Sequence, residues 1–265
     1  TDTNVIAGFG VDSVTTGAEN DVIIGDNGSM TFTVDNVLTS IIGIADDVND
    51  GVDTIDAGAG RAVIIGGGKG DDIDSTSVDA DNLIIGDGGA AEFDETTGAL
   101  VNASSTVEAF GGIDDIDIAA GNNVVFGGSG GDNITVESGA GAVVIVGDNG
   151  SVDYTDGTVI ESTDTDASTA GDDIIIAINS DTDTNVIAGF GADSVTTGAE
   201  NDVIIGDNGS MTFNLAGVLI HTEGFSDDVN DGIDTINAKA GRAVIIGGGK
   251  GDDIDSTSVD ADNLI

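Results

Sequence analysis

The chain has 265 residues, 43 of them glycine, with no proline, cysteine or tryptophan and only 3% aromatics. Fifty acidic side chains against five basic ones give a formal net charge of -45, which excludes a nucleic-acid partner because phosphate would be repelled. No apolar run is long enough to span a membrane as a helix, and without cysteine there is no disulfide framework. So acidic a chain would ordinarily be disordered, yet 39% of it is hydrophobic and falls in short Val- and Ile-rich runs, which read as strands. Five basic groups cannot offset the self-repulsion, so bound metal is the natural counter-charge; adaptation to high salt is the alternative.

In chain order, Ala7–Thr15 (AGFGVDSVT) is a glycine turn that ends in Asp12 and feeds a short strand. After Gly17–Asn20 (GAEN) comes the corner GDNG at Gly25, holding Asp26. Phe32–Ile44 reads as a β-hairpin insert and is followed by the acidic run Asp46-Asp47-Val48-Asn49-Asp50-Gly51. A second turn, Gly51–Asp56, carries Asp53 and leads to Ile55. Ala57–Ala62 (AGAGRA) turns into the apolar run Val63-Ile64-Ile65, and Gly66–Asp74 (GGGKGDDID) supplies Asp71 and Ile73. Past Thr76–Asn82 the pattern restarts: Asp87, a hairpin at Phe93–Val101, Asp114 in Gly112–Asp117, Val124-Val125-Phe126, and the turn Gly127–Thr135 with Asp132. Asp148, Tyr154 and Asp172 take the same places in the third unit, and Asp193, Asp207, Phe213, Asp234 and Asp252 in the fourth.

Residues 1–84 recur as 182–265 with 14 differences, ten of them between Thr33 and Ala45. Inside the 181-residue repeat, the GDNG-type aspartates Asp26, Asp87, Asp148 and Asp207 step by 61, 61 and 59, each followed six residues later by an aromatic: Phe32, Phe93, Tyr154 and Phe213. Those aromatics are expected to anchor the hairpins, with carbohydrate stacking as the other reading. Ile55 to Ile73 and Ile116 to Ile134 are 18 apart. Each such step reads as one coil of two strands and two turns, with Val, Ile and Phe inward and Gly, Asn and Asp at the corners. The expected fold is therefore all-β: a right-handed parallel β-roll or β-solenoid of about 18-residue coils interrupted by β-hairpin inserts. Residues 1–265 are expected to form one array of units of about 60 residues, a fragment of a longer one, since Ile265 matches Ile84, mid-strand.

Gly127-Gly128-Ser129-Gly130-Gly131-Asp132-Asn133-Ile134-Thr135 resembles the nonapeptide G-G-x-G-x-D-x-U-x of the RTX, or hemolysin-type calcium-binding, repeats, and eight degraded copies share its register. The resemblance implies calcium held between turns of adjacent coils, with ligands at Asp12, Asp53, Asp71, Asp114, Asp132, Asp172, Asp193, Asp234 and Asp252. Calcium takes six to eight oxygens, which aspartate carboxylates and glycine-turn carbonyls can supply. A plain turn is the alternative at these positions. Regular RTX rolls carry the motif on both edges; here the other edge is irregular, so one ion row is expected, with Lys69 and Lys250 disfavouring an ion at their copies. Asp26, Asp87, Asp148 and Asp207, and the runs Asp46–Gly51 and Asp227–Gly232, are further calcium candidates; for the GDNG corners an Asx-type turn launching the hairpin is the equal alternative.

No Ser/His/Asp or Cys/His set can be assembled, and the one histidine, His221, has Ser40 as its counterpart, so no catalytic residue is expected. Asp71 and Asp72, neighbours on a strand, should face opposite ways. The expected role is a calcium-binding structural segment of a large secreted or cell-surface adhesin, filament or biofilm-matrix protein, not an enzyme. It would self-associate end-to-end or laterally, or touch cell surfaces and matrix through the hairpin inserts. The alternatives are a secretion or folding module of an RTX toxin or hydrolase, and a glycan- or ice-binding solenoid.

Overall fold

The computed structural model describes residues 2–45, 48–76, 80–106, 110–119, 121–137, 141–162, 169, 171–178, 182–225 and 229–257. The described residues form an all-β solenoid with 26 strands and no helix, so none is available to cross a membrane. Two parallel nine-stranded sheets form the coil. The central sheet stacks Thr3–Ile6, Asp21–Ile24, Ala62–Ile65, Ala80–Ile85, Gly121–Phe126, Val143–Val146, Thr184–Ile187, Asp202–Ile205 and Ala243–Ile246. The outer sheet stacks Ser13–Thr15, Thr54–Ala57, Asp72–Ser75, Asp115–Ile118, Asn133–Val136, Ile174–Ala177, Ser194–Thr197, Thr235–Ala238 and Asp253–Ser256.

Register follows the isoleucines. Ile55 pairs with Ile73, Ile73 with Ile116, Ile116 with Ile134 and Ile134 with Ile175, giving a buried apolar column through the outer sheet. The column packs on Ile23, Ile64, Ile84, Val125, Ile145 and Ile204 of the central sheet. A slip by one residue would turn the isoleucines of the outer column to solvent, so burial pins the register of the outer sheet.

The hairpins do more than leave the coil. Asn27–Phe32 with Leu38–Ile44, Gly89–Phe93 with Leu100–Ser105, Gly150–Asp153 with Thr158–Ser162, and Gly209–Phe213 with Leu219–Gly224 join edge to edge into one eight-stranded antiparallel sheet. This third layer covers the second face of the central sheet. Between the two lies a separate core in which Ile24, Ile65, Ile85, Phe126 and Val146 meet Ile41, Ala91, Val152, Ile160 and Met211. Burial on both faces explains the unbroken apolar runs of the central strands, as in other doubly covered parallel sheets. Phe93 is buried in this core, and Phe32, Tyr154 and Phe213 pack against it, as expected of hairpin anchors.

One expectation is corrected here. The hairpins begin at Asn27 and Gly89, earlier than Phe32 and Phe93. Within the variable stretch, Ile41 is fully buried, while its neighbour Ile42 is 43% exposed. Alternation along the strand sends the two residues to opposite faces.

Candidate metal site: an aspartate ladder on one edge of the coil

The turns that enter the outer sheet need glycine. Gly128 and Gly130 hold φ of 115° and 131°, and a Cβ on Gly127 would lie 2.2 Å from the Gly147 carbonyl oxygen and 2.4 Å from Asp132 Oδ2. The third glycine is replaced by Lys69 and Lys250 in two copies, and both lysines adopt positive φ there, 73° and 60°. The Lys69 ammonium lies over the Phe110 ring, 4.9 Å from its centroid.

These turns deliver one aspartate per coil to the same corner. The N–H of Asp12 donates to Oδ1 of Asp53 at 2.8 Å, Asp53 to Asp71 at 2.7 Å, Asp71 to Asp114 at 2.7 Å and Asp114 to Asp132 at 2.8 Å. The chain continues from Asp132 to Asp173 at 2.7 Å, Asp173 to Asp193 at 2.8 Å, Asp193 to Asp234 at 2.9 Å and Asp234 to Asp252 at 3.1 Å. The sixth rung is Asp173, not Asp172, which is exposed. The run Asp172-Asp173-Ile174-Ile175-Ile176-Ala177 allows either reading by sequence. Pairing of Ile134 with Ile175 selects the one that buries Ile175 and Ala177. Every other rung is where the sequence puts it. Asp71 is buried while Asp72 faces out, which rules out their acting as a facing pair.

The ladder is electrostatically incomplete. Asp53, Asp71, Asp114, Asp132, Asp173, Asp193 and Asp234 are buried, and their Oδ2 atoms, with that of Asp12, have no hydrogen-bond partner. In most coils that oxygen rests against a corner glycine: Gly25, Gly66, Gly86, Gly127, Gly147 or Gly206. A buried carboxylate oxygen without a partner costs about 1–3 kcal/mol or more. Burial, reinforced by Asp53, Asp26 and Asp50, pushes the Asp71 carboxyl up to about 8. Burial raises Asp234 to about 7, with Asp207, Asp252 and Asp231 adding to it. The carboxyls of Asp114, Asp132, Asp173 and Asp193 are raised as well, burial again leading.

A second row lies beside the first. Asp26 accepts the Gly51 N–H on Oδ1 at 3.2 Å and the Gly68 N–H on Oδ2 at 2.8 Å. Asp87 takes the N–H groups of Gly112 and Ser129, Asp207 those of Gly232 and Gly249, and Asp148 that of Phe190. Each of these carboxylates is buried and ties its corner to later coils; for Asp26, Asp87 and Asp207 both oxygens are engaged, which suits the turn role better than a primary ligand. Burial still lifts Asp26 and Asp207 to about 6. Asp50 and Asp231, from the two acidic runs, are also buried, against Gly68 and Gly249; Asp46, Asp47, Asp227 and Asp228 lie outside the described residues.

The residues suit a hard cation through their chemistry: oxygen donors only, orphaned buried atoms, and a repeated carboxylate. Among the described residues no group of three or more acidic or histidine side chains closes into a cage, so an ion would draw on neighbouring rungs and backbone rather than on one cluster. His221 sits on the hairpin sheet, 3.5 Å from Glu223. Sequence reasoning missed a polar row on the opposite edge. There Asn82 donates to Asn123 at 2.9 Å, and Asp202 accepts the Thr184 N–H at 3.1 Å and the Thr197 hydroxyl at 2.6 Å. Its only sequence signal was an Asn or Asp just before an apolar run, as at Asp21, Asn82, Asn123 and Asp202. No protein-family model, curated protein or solved structure matches the chain, so the chemistry of this edge stands on its own residues.

Proposed function

We propose that the chain is a calcium-binding structural segment of a large secreted or cell-surface protein, in which the ion row folds and stiffens a solenoid rod. The carrying observation is the ladder itself: eight rungs from Asp12 to Asp234 each leave one buried carboxylate oxygen without a partner. A divalent cation drawn to Oδ2 of Asp53, Asp71, Asp114, Asp132, Asp173, Asp193 and Asp234 would supply the missing positive charge. The GDNG carboxylates Asp26, Asp87, Asp148 and Asp207 hold the corners in place around it. Because each coil touches only its neighbours, length is added coil by coil without changing the local structure, which suits a stalk, filament or matrix component and needs no catalytic residue.

Circular dichroism tests the reading. At pH 7.5 in excess chelator the β spectrum is expected to collapse, and millimolar calcium to restore it, because binding to a site absent from the unfolded chain is folding free energy. A β spectrum indifferent to chelator and calcium contradicts the proposal.

A further inference from the structure

The hairpin tips, 33–37, 94–99, 154–157 and 214–218, overhang the N-terminal ends of the central strands, on the edge away from the aspartate ladder. Beneath them lie three cavities of about 580, 630 and 500 Å³. The first and second share Arg61 and Gly98, and the second and third share Ala142, Val144 and Tyr154, so the three form one groove along the solenoid.

The groove combines ring faces with hydrogen-bonding groups. Phe32, Tyr154 and Phe213 line it and are half-buried. The rim carries amide–carboxylate pairs: Asn122 donates to Asp81 at 2.6 Å, and Asn201 donates to Asp183 through both N–H and Nδ2 at 3.0 and 3.2 Å. Two of the five basic residues, Arg61 and its 181-residue equivalent Arg242, line it too. Arg61 lies over the Phe93 ring, 4.9 Å from its centroid, and donates from Nη1 to the Gly98 carbonyl at 2.7 Å, while its Nε is buried with no acceptor.

Concave, partly apolar sites with a few convergent polar groups are the usual form of a ligand site. A net charge of -45 disfavours any polyanion. The wall is made of strand ends rather than an open strand edge, so it offers no ladder of backbone groups to an extended peptide. What remains is a neutral ligand with apolar ring faces and many hydroxyls. The aromatics recur once per two coils, about 9.6 Å at ordinary strand spacing, comparable to a disaccharide in an extended chain. We propose that this groove binds an extended neutral oligosaccharide parallel to the solenoid axis, with Tyr154 and Phe213 as stacking platforms and Arg61, Asp81 and Asp183 as hydrogen-bonding partners. This goes beyond the calcium reading and does not depend on it.

The test uses the whole chain in millimolar calcium on an array of neutral oligosaccharides of six or more units, glucans, mannans, xylans and chitooligosaccharides, followed by calorimetric titration of the strongest binder. Binding is expected, with Tyr154→Ala lowering affinity at least tenfold. Asp183→Ala, at an exposed rim position that leaves the core untouched, should lower it several-fold while circular dichroism stays unchanged. Absence of submillimolar binding to every glycan overturns the proposal. So does binding that Asp183→Ala leaves intact, or capture of neutral 12-residue peptides in place of glycans.

Discussion

The two edges of the coil are built from the same strands and differ in what they leave unpaired. On the ladder edge, each aspartate from Asp53 to Asp234 accepts the N–H of the preceding rung on Oδ1 and keeps Oδ2 in a buried corner without a partner. On the other edge, Asn82 and Asn123 pair as neutral amides, and Asp202 gives its two oxygens to Thr184 and Thr197. The first edge is regular and leaves a row of buried carboxylate oxygens unpaired, whereas the second is irregular, pairs the carboxylate and amides just named locally, and leaves unpaired the hydroxyls of Thr16, Ser75 and Thr184 and the Nε of Arg61. On the proposed reading, a shared ion row would constrain every turn alike, while local pairing lets each turn differ.

Steric change on the ladder edge should have the largest effect. Gly127→Ala places a Cβ against the Gly147 carbonyl and Asp132 Oδ2, and is expected to cost about 3–5 kcal/mol, with hydrogen exchange rising in the adjacent coils only. Uniform loss of protection along the array would refute independent coils.

Protons should substitute in part for the ion. Asp71 at about 8, Asp234 at about 7, and Asp26 and Asp207 at about 6 all lie above the ordinary value of 3.8. Between pH 4 and 8 the folded chain therefore holds protons that the unfolded chain has released. In chelator, stability should be greatest near pH 4 and fall as pH rises through 6, 7 and 8. With calcium present the midpoint calcium concentration should rise as pH falls, since protons compete for the same oxygens. Thermal melts across this range, with and without calcium, check both directions.

Asp132→Asn separates charge from hydrogen bonding, because an amide oxygen still accepts the Asp114 N–H. In chelator at pH 7.5 it should stabilise by about 1–2 kcal/mol through loss of a buried charge that raises Asp114 and Asp87, and in calcium it should weaken ion binding at least tenfold. An identical response in both conditions would mean the rung is a turn element only. On the opposite edge, Asn123→Ala should cost about 1 kcal/mol and leave the calcium midpoint where it was. Smallest of all, Ile42→Glu on the outward face of the hairpin sheet should change stability by less than about 0.5 kcal/mol.

Much of this was legible in the sequence. Short periods exposed the coil, and the D-x-I spacing located eight of nine rungs, since alternation buries both Asp and Ile. The exception was Asp173, because Asp-Asp followed by three isoleucines permits two registers and only pairing with Ile134 decides between them. The third layer was not legible. An apolar run such as Val63-Ile64-Ile65 does not reveal how many faces it buries, and nothing local in a hairpin records that it pairs with another 60 residues away. Ile41 fills the second core although its equivalent in the second copy, Thr222, is polar, so a comparison of the two copies does not reveal its burial.

Anomalous scattering from crystals grown in terbium or calcium tests the central claim most directly. Peaks are expected in a single row beside Asp53, Asp71, Asp114, Asp132, Asp173, Asp193 and Asp234, and none beside the Asn82–Asn123 edge. A well-ordered ladder without peaks at saturating calcium, or a row of peaks on the opposite edge, would contradict the account.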